Sequence, residues 1–168
     1  MVDESWLADE EREAWMTLLA SSKLLDVALN RQLQQDAGLS HSTYAILATL
    51  AARPGLTLHM GELAQLVNQS QSRLSHAVAG LESQGYVRRS PCPDSRRTIH
   101  ATLTDVGEQR LADAAPGHVA AVREFLFDHV DAEQVRLMTQ IGTEMMERIA
   151  RAGMRVPGVV EHPRPDEA

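Results

Sequence analysis

The residues with the clearest chemistry lie in one run, Ser70-Gln71-Ser72-Arg73-Leu74-Ser75-His76. Leu74, Ala77, Val78 and Leu81 recur at three- and four-residue spacing, which makes them one apolar face of a helix that Ser70 can cap. The opposite face then presents Gln71, Ser72, Arg73, Ser75 and His76. Those side chains suit a nucleic acid: Gln pairs with adenine, Arg with guanine, and Ser with phosphate or a base edge. Any solvated helix also shows a polar face, so the neighbours of the run have to decide. Between Asn68 and His100 five arginines stand against Glu82 and Asp94, a local charge of +3 within a chain of −7. The rest of the chain is therefore −10. An acidic body carries one basic module. The basic residues are all Arg except Lys23, a bias that suits paired phosphate contacts but is better explained by a GC-rich genome.

The elements that must position this run follow from periodicity and capping. Trp6 to about Gln35 reads as one long helix, acidic at its start, with Trp15, Leu18, Leu19, Ser22, Leu25, Leu29 and Leu33 as its stripe. A helix of this length usually packs against a partner chain. Ser40 caps a second helix, 41–52, and Leu56-Thr57-Leu58 is a strand stub. A short third helix, 60–67, ends at Asn68, a residue type that tolerates the left-handed turn, and the fourth runs from Ser70 to Gln84. Alternation in 86–89 and 98–102 predicts paired strands, with the proline-bearing segment 91–97 as the loop between them. Thr104 caps a fifth helix to about His129, with a kink expected at Pro116-Gly117. Asp131 and Gln134 form a capping box for a sixth, flanked by Val130 and Val135 as a hydrophobic staple. That helix carries Leu137, Met138, Ile141, Met145 and Ile149 inward. From 153 to 168 the chain reads as a loose tail. The fold class is mainly α: six helices plus a β-hairpin wing. Its parts are 1–38 as a long N-terminal helix, 39–103 as a winged helix-turn-helix, 104–152 as C-terminal helices and 153–168 as the tail.

Helix 3, a tight turn, helix 4 and a hairpin form a helix-turn-helix with a basic wing. In that arrangement the first turns of helix 4 enter the major groove, and Arg96 and Arg97 reach phosphates or the minor groove. The segments Met60-Gly61-Glu62-Leu63-Ala64, Ser70-Gln71-Ser72-Arg73-Leu74-Ser75 and Leu81-Glu82-Ser83-Gln84-Gly85-Tyr86-Val87-Arg88-Arg89 resemble the MarR family of bacterial transcriptional regulators. Asp94-Ser95-Arg96-Arg97 and Leu103-Thr104-Asp105-Val106-Gly107 continue the similarity, and Tyr86 departs from it, standing where the family more often has an aliphatic residue. The resemblance implies a homodimer with a triangular outline, in which 1–38 and 104–152 are the dimerisation helices and the two winged helices bind a palindromic operator. It implies that Ser70, Gln71, Ser72, Arg73, Ser75 and His76 form the recognition surface. Asp94 and Arg96 would form a wing pair in which the aspartate orients the inserted arginine. It also implies a cleft between dimer body and winged helix for a small aromatic or phenolic effector, with Trp15, Met16, His41 and Tyr44 as lining residues that are equally explained as helix-junction packing. Repression of its own or neighbouring genes is the commoner outcome in such a family.

Other chemistry is poorly supported. The seven histidines (41, 59, 76, 100, 118, 129 and 162) are scattered, with no pair at the four-residue spacing of a helical metal site, so neither metal nor cofactor is expected. Cys92 is the single cysteine, which excludes an internal disulfide. Between prolines in the wing it reads as an adventitious surface thiol, the alternative being a peroxide sensor lowered in pKa by nearby arginines. A winged-helix dimer that binds protein instead of DNA is the other alternative. No nucleophile elbow, phosphate-binding glycine loop or metalloprotease motif appears, so no enzyme is expected. With 43% hydrophobic and 23% charged residues, no long apolar run and an acidic amino terminus, the expectation is a globular cytoplasmic protein.

Overall fold

The computed structural model describes residues 6–92 and 95–153, with 95–97 described by their backbone. The expected tail from 154 on and Asp94 lie outside the described residues. The chain is mainly helical with one small sheet. Helix α1 spans Asp9–Ala37, α2 His41–Ala51, α3 Met60–Leu66, α4 Gln71–Ser83, α5 Asp105–Phe125 and α6 Ala132–Arg151. The strands are β1 (Thr57–His59), β2 (Val87–Cys92) and β3 (Ser95–Leu103), all antiparallel in the order β1-β3-β2.

The helix starts are chemical. The hydroxyls of Ser40, Ser70 and Thr104 accept hydrogen bonds from the amides of Thr43, Arg73 and Gly107, satisfying donors that the first turn of a helix leaves free. Asp131 Oδ1 accepts from the Glu133 and Gln134 amides at 2.9 Å, and Gln134 Oε1 accepts from the Asp131 amide, so the capping box at α6 is real. Helix α1 ends at Gly38, which takes φ 58°, a conformation that needs no Cβ. Asn68 takes φ 50° between α3 and α4, as its type predicted.

The core sits under the winged unit. Ile46, Leu47 and Leu50 of α2, Leu63 of α3, Leu74, Val78 and Leu81 of α4, and Val87, Ala101 and Leu103 of the sheet close around Leu33 of α1. Each fully buried leucine contributes about 2 kcal/mol by leaving water. The outer helices contrast with this. Only Leu29, Leu33 and Ala37 of α1 are buried, and α6 buries no residue although Leu137, Met138, Ile141 and Met145 share its apolar face. The expected stripe of α1 is covered only at its C-terminal end.

Three expectations change. The fifth helix stops at Phe125, and a 3-10 turn at Phe127–His129 follows; Pro116 lies within the helix. Pro91 belongs to β2 opposite Ile99 and is not in a loop; β2 is an outer strand with a register shift at Pro91/Cys92, the two settings in which a sheet accepts proline. Cys92 is buried at the end of that strand, so it is no surface thiol.

Candidate nucleic-acid interface

The polar run of α4 faces outward. Ser70, Gln71, Ser72, Arg73, Ser75 and His76 are all exposed, while Leu74, Val78 and Leu81 anchor the helix from beneath. The turn before it is fixed by local bonds: the Gln69 amide donates to Ala64 O, and Gln69 Nε2 donates to Ser42 Oγ at 2.7 Å. Helix α4 is thereby held to α3 on one side and to α2 on the other.

Between this helix and the hairpin lies a cleft of about 290 Å³ lined by Met60, Gly61, Gln71, Ser75, Arg89, Thr98 and Ile99. Its wall is set by one charged clamp. Glu82 Oε2 accepts from Arg89 Nε at 2.8 Å and Nη2 at 2.6 Å, while Oε1 accepts from the Arg89 amide at 3.0 Å. The Arg89 side chain and amide hold the Glu82 carboxyl below its ordinary pKa of 4.5. This pairing joins α4 to β2 and pairs the charge of Arg89 with a carboxylate of the same chain. Arg73 and Arg88 have no ion-pair partner among the described residues and are exposed. The basic excess that faces solvent is thus narrower than the count of arginines implied. Backbone pairing puts Arg96 and Arg97 in the wing strand β3, and Asp94 lies outside the described residues.

The wing is tied to the next helix by a second joint. Thr104 Oγ1 donates to Gly85 O at 2.6 Å while accepting from the Gly107 amide. Gly107 is packed so closely that a Cβ there would stand 2.1 Å from Tyr86 O. Arg110 Nη2 donates to Ala37 O, closing α5 on the end of α1.

The candidate effector residues separate into two groups. His41 and Tyr44 meet at the junction of α1, α2 and α5, where the His118 ring lies 4.4 Å from that of Tyr44 and 5.6 Å from that of His41. His41 Nδ1 is 2.7 Å from Asp26 Oδ1. Burial pushes the His118 pKa down, with the nearby His41 adding to it, and burial raises that of Tyr44. His118 Nδ1 is buried with no hydrogen-bond partner among the described residues. Trp15 and Met16 are exposed and lie eleven and ten residues before Asp26 on α1, about 16 Å along the axis. Within one chain they do not join the junction. His118 escaped sequence reasoning because it stands alone on α5, beside the helix-breaking Pro116-Gly117 pair, with no motif to mark it.

A helix-turn-helix followed by a hairpin on a three-stranded sheet defines a winged helix-turn-helix protein. Comparison with known proteins agrees: a sequence model described as MarR family matches residues 37–98. The structure is similar to that of Sco3205 from Streptomyces coelicolor, a MarR family transcriptional regulator crystallised in complex with DNA. Identity is 41%, covering 94% of this chain and 98% of that one, with a TM-score of 0.86. AbsC from Streptomyces coelicolor, another MarR family regulator, matches at 35% identity over 86% of this chain and 97% of its own, with a TM-score of 0.81. The HTH-type transcriptional repressor YetL of Bacillus subtilis is 27% identical over 113 residues, 67% of each protein. The chain belongs to the MarR family and is a DNA-binding transcriptional regulator. Its relatives are regulators and not enzymes. No helix among the described residues is long and apolar enough to cross a membrane.

Proposed function

We propose that this chain is a homodimeric cytoplasmic repressor that binds a palindromic operator controlling its own or neighbouring genes. The observation that carries the reading is the exposed first two turns of α4, which present Ser70, Gln71, Ser72, Arg73, Ser75 and His76 to solvent, with Gln71 and Ser75 lining an open cleft beside the hairpin. In this reading α4 enters the major groove, and Arg96 and Arg97, with Asp94 orienting Arg96, hold the wing in the adjoining minor groove. Segments 1–38 and 104–152 form the dimer body around the winged unit 39–103. The support is the uncovered apolar surface of α1 and α6, where Trp15, Leu18, Leu137, Ile141 and Met145 are more than two-fifths exposed. Trp15 and Met16 belong to that face, so the effector site reduces to the His41, Tyr44 and His118 junction. A small aromatic or phenolic ligand seated there would bias the angle between α1 and the winged unit and release DNA. The similarity to a DNA-bound regulator and to a repressor supports the same reading.

Footprinting the purified protein on DNA flanking its own gene tests it. The expected result is two protected half-sites of inverted sequence centred about one helical turn, ~10 bp, apart. A single asymmetric protected block, or none, would refute the dimeric operator reading.

A further inference from the structure

Histidines far apart in sequence meet in the sheet. Strand pairing sets His59 of β1 directly opposite His100 of β3, and directly opposed residues leave a sheet on the same face. Their Nε2 atoms lie 3.5 Å apart, with ring centroids 4.2 Å apart. Ser90 of β2 opposes His100 from the other side, and Cys92, two residues further, returns to that face beyond a register shift at Pro91. The two histidine nitrogens and Cys92 Sγ all lie within 4.8 Å of one another. The neighbouring Leu58 and Ala101 are buried on the opposite, core-facing side. Arg89, which opposes Ala101, lines the cleft beside α4 on that side as well.

We propose that His59, Cys92 and His100 form a zinc(II) site on the outer face of the wing, bonding all three strands to one ion. The donor set is the borderline-soft one that zinc prefers. The spacing fits too. Zn–N bonds near 2.0–2.1 Å and a Zn–S bond near 2.3 Å, at tetrahedral angles, require N···N of about 3.4 Å and N···S of about 3.6 Å. The histidine Nε2 pair already stands at 3.5 Å, and the thiol, within 4.8 Å of a nitrogen of each ring, has to close by about 1.2 Å or less. Binding converts the Cys92 thiol to thiolate and releases one proton to solvent per ion. Three protein ligands leave the fourth position to water. Sequence spacing concealed the site because its ligands sit 41 and 8 residues from His100 and are assembled by strand pairing, not by a helix turn. The ion would staple the hairpin by bonding β2 and β3 to β1, stiffening the wing.

The test uses the full-length protein freed of metal by chelator and titrated with Co2+, then with Zn2+ in competition. One Co2+ per chain should bind with tetrahedral d–d absorption and a near-ultraviolet thiolate-to-cobalt band, and Zn2+ should displace it. Cys92→Ser should abolish the thiolate band. His59→Gln, at an exposed position that cannot compromise the core, should weaken zinc at least tenfold. Zn2+ should also slow hydrogen exchange of the β2 and β3 amides in the wild type and not in His59→Gln. Absence of a stoichiometric cobalt complex, or a thiolate band that survives Cys92→Ser, overturns the site. Tight binding with unaltered amide exchange overturns the stapling role.

Discussion

Gly107→Ala is the substitution whose effect the geometry defines best. Two effects of opposite sign compete. Gly107 lies in the first turn of α5, and replacing a helical glycine with alanine normally stabilises by up to about 1 kcal/mol. The added Cβ would stand 2.1 Å from Tyr86 O and 2.7 Å from Leu103 Cδ1, where about 3.0 Å is the closest approach that real Cβ atoms show. A leucine methyl can rotate away; a backbone carbonyl cannot. Relief demands that β2 and α5 separate by about 1 Å, a typical overpacking cost of about 1–3 kcal/mol. That movement also loosens the Thr104 cap, whose hydroxyl bridges the Gly107 amide and Gly85 O, and losing a cap costs about 1 kcal/mol. Sterics win, with a net loss of about 1–3 kcal/mol. Urea denaturation at several protein concentrations, so that dimer linkage is separated from chain stability, should give a lower midpoint with unchanged slope. A midpoint equal to or above the wild type would refute the claim that backbone contact fixes the wing to α5.

Three further outcomes are expected. Arg73→Ala should cost about 1–3 kcal/mol of operator affinity and reduce the discrimination against one base pair, read by mobility shift on single-base operator variants; a uniform loss across all variants would make Arg73 a phosphate contact. Glu82→Gln removes a carboxylate whose folded pKa is lowered by Arg89, so the stabilisation is present above the unfolded value near 4.5 and fades as pH falls through the lower folded value. Wild type should therefore exceed the variant in urea midpoint at neutral pH and converge on it in strong acid. His118 has its pKa lowered by burial and by His41, so its neutral form stabilises above the unfolded value of 6.5 and protonation costs stability as pH drops below it. His118→Gln should flatten the thermal-midpoint profile between neutral and mildly acidic pH, and an unchanged slope would sink that assignment.

The legible part of the molecule was the part encoded by neighbours in sequence. Ser40, Ser70, Thr104 and Asp131 announced their helices because capping is a three-residue interaction, and Asn68 announced its turn by residue type. The exposed face of α4 followed from period alone. Strand pairing was not legible. Leu56-Thr57-Leu58 reads as a stub, and nothing local says that the strand is Thr57–His59 or that it meets β3 more than forty residues later and brings His59 to His100. The placement of Cys92 is hidden for the same reason: two flanking prolines suggest a loop, whereas an outer strand tolerates Pro91 and leaves the thiol covered beside His59 and His100. The stripe of α1 predicted burial, yet only its final turns are covered within one chain, since periodicity reports that a face seeks cover and not which molecule supplies it.

The arrangement of the small sheet also bears on how such a protein survives when no DNA is present. A hairpin held out for a groove leaves two open margins, the kind of template on which other chains add strands and aggregate. Here one margin is β1, only three residues long, and the other is β2, where Pro91 offers no donor and Arg88 places charge. Both features disfavour extension by a neighbour. The proline that first looked like a loop-maker acts as a guard, letting the wing remain naked in solution without recruiting its own copies into fibres.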